Sequence, residues 1–151
     1  MRLVLPAILL AVVAPSAGAQ TAKNADCYFE AELLSAQFGI AMKAGVPEKG
    51  FLAHGCQYVS ANGKIKFLVD AGPNPAPSAD AWRKMANPPG TKFPIVPNDP
   101  DKAVRIDSPN GVYPTLSYER GGWLVVTRIL GATTADAETW YGKLIKLKRI
   151  P

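Results

Sequence analysis

Histidine is the side chain that changes charge near neutral pH, and the sequence contains one, His54. Catalysis by an imidazole acting as general acid or base requires a serine or carboxylate within hydrogen-bond reach. The surrounding stretch Ala-His-Gly-Cys supplies neither group. His54 is therefore the one catalytic candidate, and a structural or surface role is the favoured interpretation.

Two pairs of carboxylates lie close together in the sequence. Glu30 and Glu32 are two residues apart on a predicted helix, where they point in different directions. Asp99 and Asp101 resemble a fragment of a calcium loop, but the glycine and the closing glutamate of such a loop are missing. We interpret the glutamates as helix charges and predict no metal at the aspartates.

Motifs of several enzyme classes are absent from the sequence. A single histidine excludes the zinc motif H-E-x-x-H. There is also no G-x-S-x-G nucleophile elbow, no phosphate-binding G-x-x-x-x-G-K-[ST] and no G-x-G-x-x-G. These absences favour a protein without a cofactor and without catalytic activity.

Residues 1–19 are typical of a secretory signal peptide. One arginine precedes an uninterrupted apolar run, and Ala17-Gly18-Ala19 forms a small-x-small cleavage site. The alternative is an uncleaved membrane anchor. Cleavage leaves residues 20–151 as one domain with no further apolar run of membrane-spanning length. We therefore expect a periplasmic or secreted protein without a transmembrane segment.

Cys27 and Cys56 are the only cysteines. Two cysteines in an exported chain most simply form one disulfide. The loop it closes, about thirty residues, stabilises the fold by roughly 3–4 kcal/mol in the chain-entropy model. A lipidated Cys27 would require an apolar-small-small sequence, which Asn24-Ala25-Asp26 is not, and redox function favours Cys-x-x-Cys spacing. We predict a structural disulfide.

Strand-forming residues at 113–130 bracket Gly121-Gly122, a pair able to form a two-residue hairpin turn. In the resulting register, Arg120 faces Trp123. Alternate apolar residues then share the face toward the core: Leu116, Tyr118, Trp123, Val125 and Ile129. Asn62-Gly63 predicts a second hairpin with strands in 51–59 and 64–70.

Two helices are predicted at the ends of the mature chain. The first follows the capping residue Asp26 and carries an apolar stripe of Phe29, Leu33, Ala36, Ile40 and Ala44. It ends at Gly45 or, alternatively, earlier at Gly39. The last follows the capping residue Thr133 and carries a stripe of Ala137, Trp140, Tyr141, Leu144 and Ile145.

Residues 71–100 contain eight of the fourteen prolines, which remove strand donors and are excluded from helix interiors. Ser78 is predicted to cap a short helix, 79–86, with Trp82 and Met85 on one face. The segment is interpreted as a loop-rich crossover over one edge of the sheet. The alternative is a rigid recognition surface.

Tryptophans and C-terminal basic residues are the binding candidates. Trp82, Trp123 and Trp140 could line a groove, although aromatic residues at helix or strand spacing more often form a core. Basic residues gather near the C-terminus at Lys143, Lys146, Lys148 and Arg149, either as a docking patch or as a solvated face. The formal net charge of +5 suits acidic partners or envelope surfaces, and the charge pattern disfavours nucleic acid.

The order helix, hairpin, short helix, strand, hairpin, helix predicts an α+β fold. We expect a single antiparallel sheet, built from two β-hairpins, with the N- and C-terminal helices packed on one face. This order resembles that of small secreted PsbP-like domains. The resemblance is one of layer architecture alone and implies no functional residue, because no motif of that family is present.

Together these features predict an exported, non-catalytic binding or accessory protein of a bacterial-type envelope. Its expected partner is a protein, as for an inhibitor or an immunity factor. The alternative is a small-ligand-binding protein or a small hydrolase with a pocket near His54. A deep concave site with converging polar groups around this histidine would favour the alternative.

Overall fold

An antiparallel sheet of six strands lies at the centre of the structure, a computed structural model that describes residues 27–109, 111 and 113–150. The elements in chain order are helix α1 (Ala31–Phe38), strands β1 (Val46–Glu48), β2 (His54–Val59) and β3 (Lys66–Pro73), helix α2 (Ala79–Ala86), strands β4 (Val104–Arg105), β5 (Thr115–Arg120) and β6 (Trp123–Leu130), and helix α3 (Ala137–Ile145). The strands follow the order β1-β2-β3-β6-β5-β4 across the sheet. This architecture confirms the predicted α+β class.

Two sequence predictions, the signal peptide at 1–19 and the helix cap at Asp26, lie outside the described residues. Within the described part of the chain, no helix combines the length and the apolar character needed to cross a bilayer.

Both predicted hairpins are present and form the four middle strands. β5 and β6 pair in the predicted register, with Arg120 opposite Trp123. Gly121-Gly122 makes the turn with φ angles of 58° and 79°, which glycine adopts at no steric cost. The β2–β3 turn is wider than the two residues predicted, because its last strand pair joins Val59 to Lys66.

Helices α1 and α3 close one face of the sheet, which we call the core face. Its residues alternate along the four middle strands, as the period of two requires, and each is at most 2% exposed: Cys56, Tyr58, Phe67, Val69, Ala71, Leu116, Tyr118, Val125 and Ile129. Leu34 and Phe38 of α1 and Trp140 and Leu144 of α3 pack against them. The placement of both terminal helices on one face is therefore confirmed.

The opposite face carries α2, and we call it the α2 face. Its residues are Gln57, Leu68, Asp70, Thr115, Ser117, Leu124, Val126 and Arg128. Trp82 of α2 packs against Leu124 and Val126. The eight residues of α2 extend about 12 Å, whereas the six strands are roughly 24 Å across. The connection from β3 to β4 was predicted to cross an edge of the sheet, but it crosses this face instead. Because its helix is short, the sheet stays uncovered on both sides of the helix.

Helix α1 differs from its prediction. It ends at Phe38 because Gly39, at φ 67°, takes the left-handed conformation of a helix C-cap. The buried residues are Leu34 and Phe38, whereas Leu33, on the predicted stripe, is 40% exposed. The end at Gly39 is the earlier of the two ends that the sequence left open, whereas the predicted stripe through Leu33 was wrong, because the buried face passes through Leu34.

Helix α2 has the predicted bounds and the predicted cap. Ser78 Oγ accepts a hydrogen bond from the Ala81 amide at 3.1 Å. Trp82 is buried as predicted, but Met85 is 71% exposed. The helix turns Arg83 toward the sheet instead, where its Nε donates to Ser117 Oγ at 3.4 Å.

Helix α3 begins four residues after Thr133, the predicted cap. The Asp136 carboxylate accepts hydrogen bonds from the amide and hydroxyl of Thr133, so these residues form a turn that precedes the helix. The buried residues of α3, Trp140, Tyr141 and Leu144, belong to the predicted stripe.

A disulfide joins Cys27, before α1, to Cys56 on β2, which confirms the predicted pairing. The last described residues cover the core face on its other side, near Tyr118 of β5. Leu147 and Ile150 are buried there, and the Ile150 amide donates to the Tyr118 hydroxyl at 3.0 Å. Both ends of the described chain are therefore attached to the core face.

Candidate binding face around helix α2

Three clefts surround α2, and side chains of the α2 face contribute to each. One lies toward β3, between Trp82 and Arg128, and measures about 160 Å³. A second lies past the end of the helix, between Asn87 and Arg128, and measures about 200 Å³. The third lies between Arg83 of α2 and Val104 of β4 and measures about 430 Å³. The flanks left uncovered by the short helix are therefore concave.

The first cleft, which we call the Arg128 cleft, is apolar in its floor and in one wall. Leu68 and Val126 come from the sheet and Trp82 from α2, while Phe51 lies at the mouth with its side chain 83% exposed. For comparison, a dry protein cavity of about 150 Å³ binds one benzene molecule. The cleft thus has room for one aromatic or branched aliphatic side chain.

Asp70 holds the loop that carries Phe51. Its carboxylate accepts hydrogen bonds from the amides of Phe51, at 3.1 Å, and Leu52, at 3.4 Å. A Cβ atom at Gly50 would lie 1.7 Å from Asp70 Oδ1, so only glycine lets the loop approach this closely. The position of Phe51 at the cleft mouth therefore depends on Asp70 and Gly50.

Arg128 is a partly buried cation without an anionic partner. It lies on β6 between Leu68 and Thr115, and its Nε donates to Thr115 Oγ1 at 3.3 Å. None of the ion pairs between described residues includes it. Burial lowers the pKa of the Arg128 guanidinium, against the opposing field of Asp70. Charged groups away from bulk water are usually paired, so a partly buried arginine without an ion pair to a described residue is a candidate for binding an anion.

Exposed apolar side chains gather around the same face. Among the described residues, five of the six large exposed apolar side chains lie on the α2 side: Val46, Phe51, Met85, Ile95 and Tyr113. Strand pairing shows this for Val46, which lies opposite Gln57, and for Ile95, which lies opposite Val104. Phe51 and Tyr113 line clefts that include Arg128. The sixth, Leu33, lies on α1.

His54 lies at the end of the core face, away from α2. Its exposed ring stacks on Trp123 with the ring centroids 5.5 Å apart. The two line a depression of about 480 Å³ that also includes Tyr28 and Glu48. Among the described residues, none forms a hydrogen bond or ion pair with the imidazole, so the structure does not bring together the partner that acid–base catalysis requires.

The basic residues predicted as a docking patch differ in their surroundings. Lys143 Nζ donates to the Phe38 carbonyl and lies 4.5 Å from the centroid of the Trp140 ring. Lys146 and Lys148 are exposed, and neither ammonium group forms an ion pair within the described residues. Only these two lysines are free to meet a partner, so a binding role for the whole set stays a prediction.

Arg149, the fourth basic residue, is paired with the aspartates of the incomplete calcium-loop pattern. It pairs with Asp99 and lies 3.6 Å from Asp101. Burial alone would raise the pKa of the Asp99 carboxyl, but hydrogen bonds from the Ala103 amide and Arg149 outweigh it and lower that pKa. Within the described residues, no group of three or more His, Cys, Asp or Glu side chains could hold a metal ion.

The three tryptophans do not share a groove. Trp140 is buried in the core, and Trp123 stacks on His54. Trp82 alone lines the Arg128 cleft. Of the residues proposed from the sequence for binding, the structure thus places only Trp82 at the candidate site.

Arg128 and Asp70 were not among the site residues predicted from the sequence. The predicted register places Arg128 on the same face as Leu124 and Val126, and this provided a signal. An arginine that shares a strand face with buried aliphatic residues extends its charged end into water, pairs within the fold or binds a ligand.

A search of known proteins found no matching family model, no matching curated protein and no matching solved structure.

Proposed function

We propose that this protein is an exported, non-catalytic binding protein that recognises a polypeptide partner through the α2 face, in the manner of an inhibitor, an immunity factor or an envelope accessory protein. The observation that carries this proposal is the gathering of exposed apolar side chains around three clefts on one face. Large apolar surfaces on soluble proteins commonly mark interaction sites.

The size of two of the three clefts supports a polypeptide partner, whereas the third, about 430 Å³, lies within the range of small-molecule sites. The two clefts on either side of Arg128 measure about 160 and 200 Å³, below the roughly 300–1,000 Å³ of sites for drug-sized ligands. Each has room for a single side chain. Anchoring side chains that enter separate small pockets are typical of protein–protein interfaces.

The rigidity of the loops beside α2 also supports this proposal. The segment that carries Ile95 is tied to the sheet by bridges between Lys92 and Asp107 and between Ile95 and Val104. Pro94 and Pro97 flank this position and restrict the backbone. A loop ordered before binding loses less conformational entropy when a partner docks.

Affinity capture with matched variants tests the proposal. Oxidised protein comprising residues 20–151 serves as bait for an envelope extract of the source organism, beside Phe51→Ser, Ile95→Ser and the control Leu33→Ser, which alters an exposed apolar residue on the other side of the sheet. We expect one stoichiometric protein to be retained by the unaltered bait and the control, and to be lost from both α2-face variants. Equal retention by all four baits, or no retained protein, would contradict the proposal.

A second candidate function is the binding of a small ligand in the depression at His54. Its volume, about 480 Å³, lies within the range of small-molecule sites, and the stacked rings of His54 and Trp123 offer a flat apolar surface. A thermal-shift screen of small molecules tests it. If the depression is the site, a compound that raises the melting temperature of the unaltered protein must not raise that of His54→Ala, but must still raise that of the control Phe51→Ser.

A further inference from the structure

We infer that Arg128 binds the C-terminal carboxylate of the partner chain, and that the apolar side chain of that terminal residue enters the Arg128 cleft between Phe51 and Trp82. This inference rests on the proposed function and deepens it by naming the chemical group that is recognised.

The guanidinium of Arg128 retains hydrogen-bond donors for this contact. Its Nε is engaged by Thr115 Oγ1 at 3.3 Å, and among the described residues neither Nη atom has a hydrogen-bond or ion-pair partner, although the side chain lines the cleft. Two Nη nitrogens can donate in parallel to the two oxygens of one carboxylate. Such a contact satisfies a cation that the fold leaves unpaired and partly desolvated.

Other charges around the cleft disfavour a small free anion. Lys49 adds a second positive charge, whereas Glu48 and Asp70 add two negative ones. The Asp70 carboxylate is occupied by the amides of Phe51 and Leu52 and forms no ion pair with Arg128. Because the charges nearly balance, a phosphate would gain little from the surroundings of Arg128. For a singly charged ligand to bind, an apolar group beside its charge must be buried as well, because that burial adds the free energy that the charge alone does not supply.

The apolar floor lies directly beside the cation. Leu68 is the cross-strand neighbour of Arg128 on β3, and paired residues of adjacent strands have Cβ atoms only about 5 Å apart. The ligand must therefore carry its carboxylate and its apolar group on neighbouring atoms. A chain-terminal apolar residue does so, because both groups are attached to one Cα atom.

An internal acidic residue fits this arrangement less well. In an extended peptide, successive side chains point to opposite sides, so an aspartate next to a phenylalanine directs its carboxylate away from the pocket that the ring enters. The volume of about 160 Å³ also limits the cleft to one side chain. The geometry thus favours the terminal carboxylate of a residue such as phenylalanine or leucine.

Titration with three short peptides tests the inference. The probes are N-acetyl-Ala-Ala-Phe with a free carboxylate, the same peptide with a C-terminal amide, and N-acetyl-Ala-Asp-Phe-amide, in which the carboxylate is on the neighbouring side chain. NMR of ¹⁵N-labelled protein, residues 20–151, follows the Trp82 indole and the Arg128 Nε–H signals. We expect the free carboxylate peptide to shift both, the other two to bind at least about tenfold more weakly, and the Trp123 indole signal to stay unchanged.

Variants establish whether Arg128 is responsible. Arg128→Met is expected to weaken binding of the free carboxylate peptide by about tenfold or more, and Arg128→Lys to weaken it less. The control Lys64→Met, which removes an exposed charge in the β2–β3 turn, is expected to leave binding unchanged. Because Arg128→Lys keeps the charge, it replaces Arg128→Met as the test variant if Arg128→Met does not give a native spectrum. Equal binding of acid and amide peptides, no binding of either, or unchanged binding by the native Arg128 variants would overturn the inference.

The same variants separate this inference from the proposed function. If the captured partner is lost from the Phe51→Ser and Ile95→Ser baits but is retained fully by Arg128→Met, the α2 face binds the partner and the role of Arg128 is wrong. If the partner is retained by every bait, the proposed function itself fails.

Discussion

The two faces of the sheet come from the same strands but differ in what covers them. On the core face, aromatic rings of helix and strand meet directly, with the Phe38 and Phe67 centroids 5.1 Å apart and those of Phe38 and Trp140 5.6 Å apart. On the α2 face, one short helix covers Leu124 and Val126 and leaves Arg128 open to a cleft. The comparison indicates that the core face stabilises the fold, and the partly covered α2 face is the one on which we propose that a partner is recognised.

The largest expected difference is between two adjacent residues of β3 that point to opposite faces. Phe67→Ala is expected to lower the free energy of unfolding by about 3–5 kcal/mol, because it removes a fully buried ring from the core face. Leu68→Ala, on the partly covered α2 face, should lower it by only about 1 kcal/mol. Urea denaturation followed by circular dichroism measures both. Equal losses would show that the α2 face is packed as firmly as the core face.

The disulfide is expected to have the next largest effect. Cys27→Ser with Cys56→Ser opens a link with a sequence separation of 29 residues, and the chain-entropy model predicts a loss of about 3–4 kcal/mol. Denaturation of the double variant against the oxidised protein measures it. A loss below about 1 kcal/mol would mean that packing on the core face holds this segment without the covalent link.

The partly buried ion pair between Asp99 and Arg149 predicts an acid dependence of stability. The pKa of Asp99 is lower in the folded protein than its ordinary value, so its stabilising contribution is present above about pH 4 and is lost as the pH falls through the folded pKa. Asp99→Asn should therefore be less stable than the parent at pH 7 by about 1–3 kcal/mol, with the difference shrinking at pH 2–3.

Denaturant midpoints at the two pH values measure this difference, with Glu119→Gln as the control. Glu119 is exposed and forms no ion pair with a described residue. A difference between Asp99→Asn and the parent that stayed constant with pH would contradict the assignment.

The smallest effects on stability are expected on the α2 face, where the effect on binding should be largest. Phe51→Ala and Ile95→Ala remove exposed side chains and should change the free energy of unfolding by less than about 0.5 kcal/mol. Both should nevertheless weaken retention of the partner in the capture experiment. Destabilisation by more than about 1 kcal/mol would indicate that these side chains serve the fold rather than recognition.

Local sequence signals were sufficient for the register of the β5–β6 hairpin and for the bounds of α2. Gly121-Gly122 and the alternation around it give the observed register, and Ser78 gives the start of α2. The face of α1 was mispredicted because the two helical stripes available, through Leu33 or through Leu34, differ by one residue. Packing against Phe67, which is distant in the sequence, selects between them.

The candidate site was less predictable than the fold. Arg149 and Arg128 look alike in the sequence. Arg149 nevertheless pairs with Asp99, fifty residues away, whereas Arg128 forms no ion pair with any described residue. Likewise, the sequence pattern indicates only that Asp70 is a polar residue at the end of a strand. Its role in holding the 50–52 loop depends on a tertiary contact. Whether a charged side chain serves the fold or stays available for binding depends on its pairing with residues distant in the sequence. A local sequence pattern does not contain that information.

Side-chain labelling by hydroxyl radicals tests the central claim most directly, because it shows which face a partner covers without altering the protein. Oxidised protein, residues 20–151, is labelled alone and in the complex recovered from the envelope extract, and modification is measured residue by residue by mass spectrometry. We predict that Phe51, Met85, Ile95 and Tyr113 lose labelling in the complex while Leu33 on α1 keeps it. Protection of Leu33 with unchanged labelling on the α2 face would contradict the account.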